Sequence, residues 1–278
     1  MQRVIITGAN SFLGREIVSA AEGKYKIYPI VRIVTKADEI SCSMNEYKKL
    51  DLLIKEPCDS LICLAWNGTR GETRSNPEIQ RQNLEYSLDL LEFAKRNGVK
   101  NVILAGSQAE YGVCDEEITE ETVCKPVTEY GKYKKFFYEK ALESGLNVKN
   151  ARIFSLYGEG DYKGSMIMSV LEKMMKNEDC ELTDSLQMWD YLQVKDAAEA
   201  LVRLLEKGEI GAYNVASDSP RPLKEYILEM QRITGSKSRL LFGAKQGTAG
   251  IFPNIEKMKK IGWQPKISFE AGIKALIN

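Results

Sequence analysis

The sequence predicts an α/β fold, a doubly wound parallel sheet with helices on both faces, followed by a smaller C-terminal α/β lobe. Three observations predict it. In the first two-thirds of the 278-residue chain, short β-branched runs alternate with segments of helical periodicity. The runs are continuously apolar, as in VII and LICLA, which is typical of strands buried on both faces. A glycine-rich turn joins the first run directly to the first helical segment.

Each predicted strand of the first part is followed by a glycine or polar turn and then by a helical segment. The strands are predicted at residues 3–7, 26–31, 60–65, 101–105 and 147–153. The helices are predicted at residues 14–21, 77–97, 127–144, 165–177, 194–207, 222–234 and 255–261. Beyond about Tyr157 the alternation fades, and short strands near 181–183 and 213–216 mix with helices.

Composition excludes several kinds of site. Lys plus Arg is 39 and Asp plus Glu is 39, so charge gives no reason to expect a nucleic acid or an anionic membrane as partner. The chain has no His, which excludes a Ser-His-Asp triad, a Cys-His dyad and a His-ligated metal site. Proton transfer must therefore use Tyr, Lys, Asp, Glu or Cys, and no metal is expected.

The six cysteines are scattered without a C-x-x-C pair, which is typical of reduced thiols rather than of a zinc or disulfide site. The first residues resemble neither a signal peptide nor a membrane span. Together these features predict a cytoplasmic protein.

A glycine-rich turn, residues 7–14, follows the first predicted strand. Gly8 permits a tight turn, Gly14 permits close packing of helix on strand, and the N–H groups at the helix start favour a pyrophosphate. The pattern also occurs in ordinary turns, but its position predicts a dinucleotide-binding Rossmann domain. We expect residues 1–157, with about 186–217, to form this domain, and about 158–185 with 218–278 to form a substrate-binding lobe.

The end of the second strand bears on the cofactor. In this fold an acid about 20 residues after the glycine turn binds the ribose 2′-OH of NAD, whereas an Arg can accept the 2′-phosphate of NADP. The second strand ends in Ile30-Val31-Arg32, without an acid. Arg32 therefore favours NADP(H). NAD(H) stays an alternative, as does an Arg32 that is merely solvated.

Three residues form a candidate catalytic set. Tyr130 and Lys134 have helical i, i+4 spacing, which places them on one face about 6 Å apart. A neighbouring ammonium lowers the pKa of a phenol, so the pair can exchange protons near neutral pH. Ser107 follows the strand 101–105, and its hydroxyl can hydrogen-bond a substrate oxygen there. Each feature alone has an ordinary explanation, such as a turn residue or a helix surface.

In this order the motifs resemble the extended short-chain dehydrogenase/reductase family, in its nucleotide-sugar branch of NAD(P)-dependent epimerase/dehydratase type, over nearly the whole chain. Residues 7–14 resemble the T-G-x-x-G-F-L-G loop, with Ser11 in place of the middle glycine. Residues 151–158 resemble L-R-x-F-N-V-Y-G, with Ser155 in place of Asn, and residues 189–196 resemble R-D-Y-x-x-V-x-D.

The resemblance implies roles for the site residues. Tyr130 is the expected proton donor, Lys134 lowers the pKa of Tyr130 and holds the nicotinamide ribose, and Ser107 orients the carbonyl. Asp51-Leu52 matches the turn that contacts the adenine ring. The implied cofactor contacts are Gly8, Asn10, Ser11, Phe12, Leu13, Gly14, Arg32, Asp51, Leu52, Leu64, Ala65, Trp66, Tyr130, Lys134 and Ile153. The implied substrate contacts are Asn67, Arg70 (or Arg74), Gln108, Ser155 and Ser165.

The resemblance implies NADP(H)-dependent reduction at C4 of a nucleotide-linked 4-keto-6-deoxyhexose. Sugar 4,6-dehydratases of this family carry an Asp-Glu pair where this chain has Gln108-Ala109, with Glu110 displaced by one, so dehydration is not expected. The alternatives are an NAD-dependent nucleotide-sugar 4-epimerase that uses the same residues and a dinucleotide-sensing regulator with an inactive site. A homodimer is also expected, with helices 77–97 and 127–144 pairing across a two-fold axis.

Overall fold

The computed structural model describes residues 1–114, 116–245 and 250–277. In chain order its elements are β1 (Arg3–Thr7), α1 (Phe12–Ala21), β2 (Lys26–Val31), β3 (Ile40–Ser41), α2 (Leu50–Leu53), β4 (Ser60–Cys63), α3 (Pro77–Asn97), β5 (Asn101–Ser107), α4 (Glu129–Leu142), β6 (Asn147–Ile153), β7 (Ser155–Tyr157), α5 (Met166–Met175), β8 (Cys180–Glu181), β9 (Met188–Trp189), β10 (Tyr191–Gln193), α6 (Val194–Lys207), β11 (Gly211–Val215), β12 (Arg221–Pro222), α7 (Leu223–Thr234), β13 (Leu240–Leu241), α8 (Glu256–Lys260) and α9 (Phe269–Ile277). Short 3₁₀ helices span Met44–Lys49, Glu72–Ser75 and Gln108–Glu110.

The central sheet has the strand order β11-β6-β5-β4-β1-β2-β3, and all of its strand pairs are parallel. The order reverses between β1 and β4, which pair directly up to Thr7 and Cys63. In such a sheet the carboxyl ends of the strands at the reversal leave a crevice for a ligand. The predicted α/β fold with a doubly wound parallel sheet is confirmed.

Helices cover both faces of this sheet. On one face α1 and α6 pack together over an apolar cluster that includes Ile17 and Leu201. On the other face α3 and α4 pack over a second cluster that includes Phe93 and Phe137. A third cluster, around Tyr226, joins α5, α7 and α9 beside the sheet. The proposed division into a dinucleotide-binding domain and a substrate lobe stays a prediction.

Capping residues explain where the observed ends of two helices agree with, or differ from, the predicted ends. The helix α3 has the predicted bounds because the Asn76 side chain caps its first N–H groups, Pro77 opens it, and Gly98 ends it with a φ of +88°. The helix α4 begins later than predicted because the Thr128 hydroxyl caps it by accepting from the Gly131 N–H at 3.1 Å.

Two central strands have different lengths from those predicted. The strand β4 ends at Cys63, because the N–H groups of Leu64 and Ala65 donate to the Thr7 hydroxyl at 3.1 and 3.3 Å. The strand β5 continues to Ser107, because its last residues still pair with β6. The short strand predicted near 181–183 is found at β8, Cys180–Glu181, whereas the helix α9 and the other two-residue strands of the small sheets were not predicted.

Two further observations concern the surface. Among the residues that the structure describes, no helix combines the length and the apolar character needed to cross a membrane.

Phe136 on α4 is 42% exposed, whereas Phe137 packs inside. The homodimer stays a prediction.

Candidate active site

A cleft of about 550 Å³ lies at the carboxyl ends of β1, β2 and β4, where the strand order reverses. Four chain segments form most of its wall: the glycine turn, the end of β2, the turn after β3 and the turn after β4. They contribute Gly8, Asn10 and Ser11, then Ile30, Val31, Arg32 and Ile33, then Cys42, Ser43, Met44 and Asn45, and finally Leu64, Ala65, Trp66 and Asn67. The helix α3 adds Gln82 and Tyr86.

The glycine turn is folded tightly against the start of α1. Gly8 has a φ of +67°, and a Cβ on Gly14 would lie only 2.2 Å from the Gly8 carbonyl oxygen. Ser11, which stands where the family has a glycine, caps α1 because its Oγ accepts from the Gly14 N–H at 3.1 Å. The turn therefore brings the N-terminus of α1 to the cleft without a side chain on Gly8 or Gly14, and this shape fits a dinucleotide diphosphate.

We expect Gly14→Ala to abolish dinucleotide binding. The added methyl group would overlap the Gly8 carbonyl, so the turn or α1 must move away from its present position. Calorimetric titration with NADPH and NADH measures the binding, and circular dichroism checks that the variant is folded. Ser19→Ala, an exposed position of the same helix, is the control. Unchanged binding by a folded Gly14→Ala protein would contradict the prediction.

Arg32 lies at the end of β2 and lines the cleft with an exposed side chain. In the described part of the chain no carboxylate pairs with it. Nearby, the Asn10 amide donates to the Ile33 carbonyl oxygen at 3.0 Å and ties the glycine turn to the same segment. A free guanidinium at this place has the chemistry to hold a phosphate.

The structure corrects the prediction for Asp51 and Leu52, which do not line the cleft. Both lie in α2, where the Asp51 carboxylate accepts from Arg96 at 2.6 Å and Leu52 is exposed. Residues 42–45, directly after β3, form that part of the wall instead. Because β3 has only two residues, it gave no periodic signal in the sequence, and the turn after it was placed too far along the chain.

Ser107, Tyr130 and Lys134 come together next to the cleft. Ser107 ends β5, and the other two lie on the buried face of α4. The Ser107 hydroxyl lies near enough to the phenol of Tyr130 to act on its pKa. Trp66, which lines the cleft, contacts both α4 residues: Lys134 Nζ lies 3.9 Å from the centroid of its ring, and the Tyr130 ring packs edge-on at 6.5 Å. Trp66 thus connects the three residues to the cleft.

Burial determines the protonation of this set. Loss of water raises the pKa of Tyr130, and the nearby Ser107 hydroxyl and the charge of Arg74 only oppose this effect. Burial also lowers the pKa of Lys134 to about 7, against the opposing charge of Glu110. The Lys134 ammonium donates to the Ala105 carbonyl oxygen at 2.8 Å. The expected lowering of the Tyr130 pKa by Lys134 is therefore wrong, because the ammonium is directed to this carbonyl and to the indole.

Glu110 lies behind Ser107 and is fully buried. One carboxylate oxygen accepts from the Ser107 N–H at 2.8 Å. The other accepts from the Asn150 amide at 2.8 Å and from Arg152 Nε at 3.0 Å. With its lone pairs engaged in this way, Glu110 positions the backbone of Ser107 and does not serve as an acid toward the cleft.

The segment after β4 places its two arginines differently. Arg70 pairs with Asp161 at 3.0 Å through one of its terminal nitrogens, and its role in substrate binding stays a prediction. The guanidinium carbon of Arg74 lies 4.5 Å from the centroid of the Tyr130 ring. The sequence contained both arginines, but no periodic pattern in this segment could distinguish them.

Of the remaining predicted contacts only Asn67 belongs to the cleft wall, and the others lie around the site. Phe12 and Leu13 begin α1, and Ile153 ends β6 opposite Ser107. Gln108 follows Ser107, and its Oε1 is buried without a hydrogen-bond partner. Ser155 pairs with Tyr191 in β7 and β10. Ser165 caps α5, since its Oγ accepts from the Met168 N–H at 3.4 Å. Asn67, predicted to bind substrate, lines the cleft beside Trp66.

Comparison with known proteins identifies the family. Residues 4–216 match the model of the NAD dependent epimerase/dehydratase family. The dTDP-6-deoxy-L-talose 4-dehydrogenase (NAD(+)) of Aggregatibacter actinomycetemcomitans is 25% identical over 247 residues, which cover 81% of this chain and 88% of the relative.

Solved structures agree in fold. The UDP-glucose 4-epimerase of Thermotoga maritima with UDP-glucose has a TM-score of 0.86 at 21% identity, covering 99% of this chain and 97% of that one. The RMD protein of Pseudomonas aeruginosa with NADPH has a TM-score of 0.85 at 22% identity, covering 100% of this chain and 98% of that one. Because the family match spans more than half of its length, the chain belongs to the NAD dependent epimerase/dehydratase family.

Proposed function

We propose that the protein reduces a nucleotide-linked 4-keto-6-deoxyhexose at C4 with NADP(H) as cofactor. One observation carries the proposal: a buried phenol, hydroxyl and ammonium, those of Tyr130, Ser107 and Lys134, lie together beside a cleft that begins at the glycine turn, and Trp66 of the cleft wall contacts the phenol ring and the ammonium. The glycine turn and the start of α1 would hold the diphosphate of the cofactor, and Arg32 its 2′-phosphate. When bound, the reduced nicotinamide would supply the hydride.

The residues of the chain supply the proton and the orientation. Tyr130 has a raised pKa and therefore holds its proton at neutral pH, ready to give it to the carbonyl oxygen of the sugar. Ser107 donates a hydrogen bond to the same oxygen and orients it. Tyr130 and Lys134 are nearly free of solvent contact, so water does not compete for the proton.

Dehydration of a sugar is not favoured by this site. It would need an acid and a base near the substrate, and the acidic residue of this segment, Glu110, is bonded to Ser107 and Arg152 away from the cleft. The relative named dTDP-6-deoxy-L-talose 4-dehydrogenase supports a 6-deoxyhexose that reacts at C4. Because the relatives compared above carry the names of enzymes, a regulator with an inactive site is not proposed.

The second candidate is a nucleotide-sugar 4-epimerase with tightly held NAD. The likeness in fold to the UDP-glucose 4-epimerase supports it, and the same three residues would take part. Such an enzyme would oxidise C4 and then reduce it from the other face, so it would consume no reduced cofactor. The fate of the cofactor therefore distinguishes the two functions.

The test is to identify any dinucleotide retained by the purified protein and then to follow NADPH consumption with dTDP-, CDP- and GDP-linked 4-keto-6-deoxyhexoses. We expect stoichiometric NADPH oxidation with at least one of these ketosugars. Retained NAD, together with interconversion of 4-epimers and no net consumption of NADPH, would replace the reductase by the epimerase.

We expect Arg32→Gln to raise the KM for NADPH about tenfold or more, because one charge-assisted contact to the 2′-phosphate contributes roughly 1.5–3 kcal/mol. The KM for NADH should stay the same, since NADH has no phosphate there. Steady-state kinetics with both cofactors measures the difference, and Lys36→Gln, an exposed cation of the following loop, is the control. Equal effects on both cofactors would argue against the assignment of NADP(H).

A further inference from the structure

The guanidinium of Arg74 rests on the ring of Tyr130. Its central carbon is 4.5 Å from the ring centroid, and Nη1 donates to the Thr69 carbonyl oxygen at 3.3 Å. Within the described ranges no carboxylate lies at ion-pair distance from Arg74. Its neighbours along the chain differ, because Arg70 pairs with Asp161 and Arg81 pairs with Glu78. Arg74 thus leaves its charge available to the phenol.

The segment that carries Arg74 is fixed by hydrogen bonds from a buried side chain of α3, that of Gln80. The buried amide of Gln80 donates to the carbonyl oxygens of Gly68 and Thr73 at 2.8 and 3.1 Å. Its Oε1 accepts from the indole N–H of Trp66 at 2.7 Å. The same side chain therefore fixes both the Arg74 segment and the indole that contacts Tyr130. The position of the guanidinium over the ring is part of this network.

The other charged groups around Tyr130 are engaged elsewhere. Lys134 Nζ is 5.7 Å from the Tyr130 ring centroid, donates to Ala105 and stacks on Trp66. Glu110 is bonded to Ser107 and to Arg152. Lys134 can also lose its charge near neutral pH, whereas a guanidinium keeps its charge throughout. Arg74 is therefore the permanent cation that is closest to the ring of Tyr130.

We propose that Arg74 is a positioning residue for proton transfer at Tyr130, and that its guanidinium stabilises the negative charge left on the phenol ring. The inference rests on the proposed function, of which it names an additional participant. The O–H bond of Tyr130 breaks, and an O–H bond forms on the alkoxide of the substrate. The electron pair stays on the phenolate beneath the guanidinium, and a proton from water restores the phenol afterwards.

A titration of Tyr130 tests this without substrate or cofactor. The protein is labelled with [ζ-¹³C]tyrosine, and the Tyr130 signal is assigned by its loss in Tyr130→Phe. We expect Arg74→Met to reduce the phenolate fraction of Tyr130 at a fixed alkaline pH about tenfold, because a neighbouring cation stabilises the phenolate relative to the phenol. A tenfold change corresponds to one pKa unit, or about 1.4 kcal/mol. Arg74→Lys should restore most of this fraction. Arg81→Met, an exposed ion-paired arginine, should not change it.

Arg74→Gln replaces Arg74→Met in the comparison if the methionine variant does not fold, as judged by circular dichroism. The inference is overturned if Tyr130 titrates at the same pH in the unmodified protein and in the neutral variants. It is also overturned if Tyr130 shows no phenolate in the unmodified protein before unfolding.

Kinetics adds a second readout, which depends on the proposed reaction. Loss of the cation should lower kcat for ketosugar reduction and leave the KM of the ketosugar nearly unchanged, with partial rescue by Arg74→Lys. An equal loss in kcat and rise in KM would assign Arg74 to substrate binding and contradict the inference. If no ketosugar is reduced at all, the proposed function fails, while the titration still decides whether Arg74 controls Tyr130.

Discussion

Tyr130→Phe is expected to lower kcat for ketosugar reduction about a thousandfold, within the range of roughly 10²–10⁴ that a general acid contributes. The substitution removes only the hydroxyl group. The ring contacts with Trp66 and Arg74 do not need that group, so the local packing should persist. The affinity for NADPH should therefore stay unchanged. Steady-state kinetics and calorimetric titration measure the two quantities on the same preparation.

The matched control is Tyr133→Phe, which removes a phenol hydroxyl from the same helix at a partly buried position that packs against the cluster of Phe93 and Phe137. Turnover by the control should equal that of the unmodified protein. If Tyr130→Phe retains comparable turnover, another group donates the proton, and the assignment of the catalytic set is wrong.

Glu110→Gln is expected to destabilise the fold by about 3–5 kcal/mol, the range for breaking a buried ion pair by removing one partner. The amide has nearly the same shape, but it leaves the buried guanidinium of Arg152 without a counter-charge. The effect should exceed that of any exposed charge. Urea unfolding followed by circular dichroism gives the free energy of unfolding.

Glu143→Gln is the comparison, since it removes a carboxylate from an exposed pair with Lys140 on the surface of α4. Its cost should be below about 1 kcal/mol. Similar costs for the two substitutions would mean that Glu110 and Arg152 do not form the ion pair described here. A folded Glu110→Gln protein should also lose turnover, because Glu110 holds the Ser107 backbone.

Much of the fold follows from local rules. The bounds of α3 were predictable because capping residues at both ends are visible in the sequence. Ser107 and the pair Tyr130 and Lys134 were predictable as neighbours, because one follows a central strand and the others share a helix face. The spacing of residues in the sequence predicts which side chains are close together, but it does not reveal how much water a site excludes. For this reason the sequence analysis predicted a lowered pKa for Tyr130, whereas burial raises it.

Other features depend on contacts between distant residues. The Glu110 side chain points into the protein because its carboxylate accepts hydrogen bonds from Arg152 and Asn150. Both lie on β6, about 40 residues later in the sequence. The place of Arg74 depends on Gln80, whose burial on α3 has no distinct sequence signal. The wall of the cleft at residues 42–45 depends on the two-residue strand β3, which is too short to produce a pattern.

The indole of Trp66 has a practical consequence for experiments. It lines the cleft and also lies against the ammonium of Lys134, so its emission should respond both to a molecule that enters and to the charge beside it. The emission of the unlabelled chain, to which Trp189 and Trp263 also contribute, should therefore change when a ligand enters the cleft, and Trp66→Phe should remove this change.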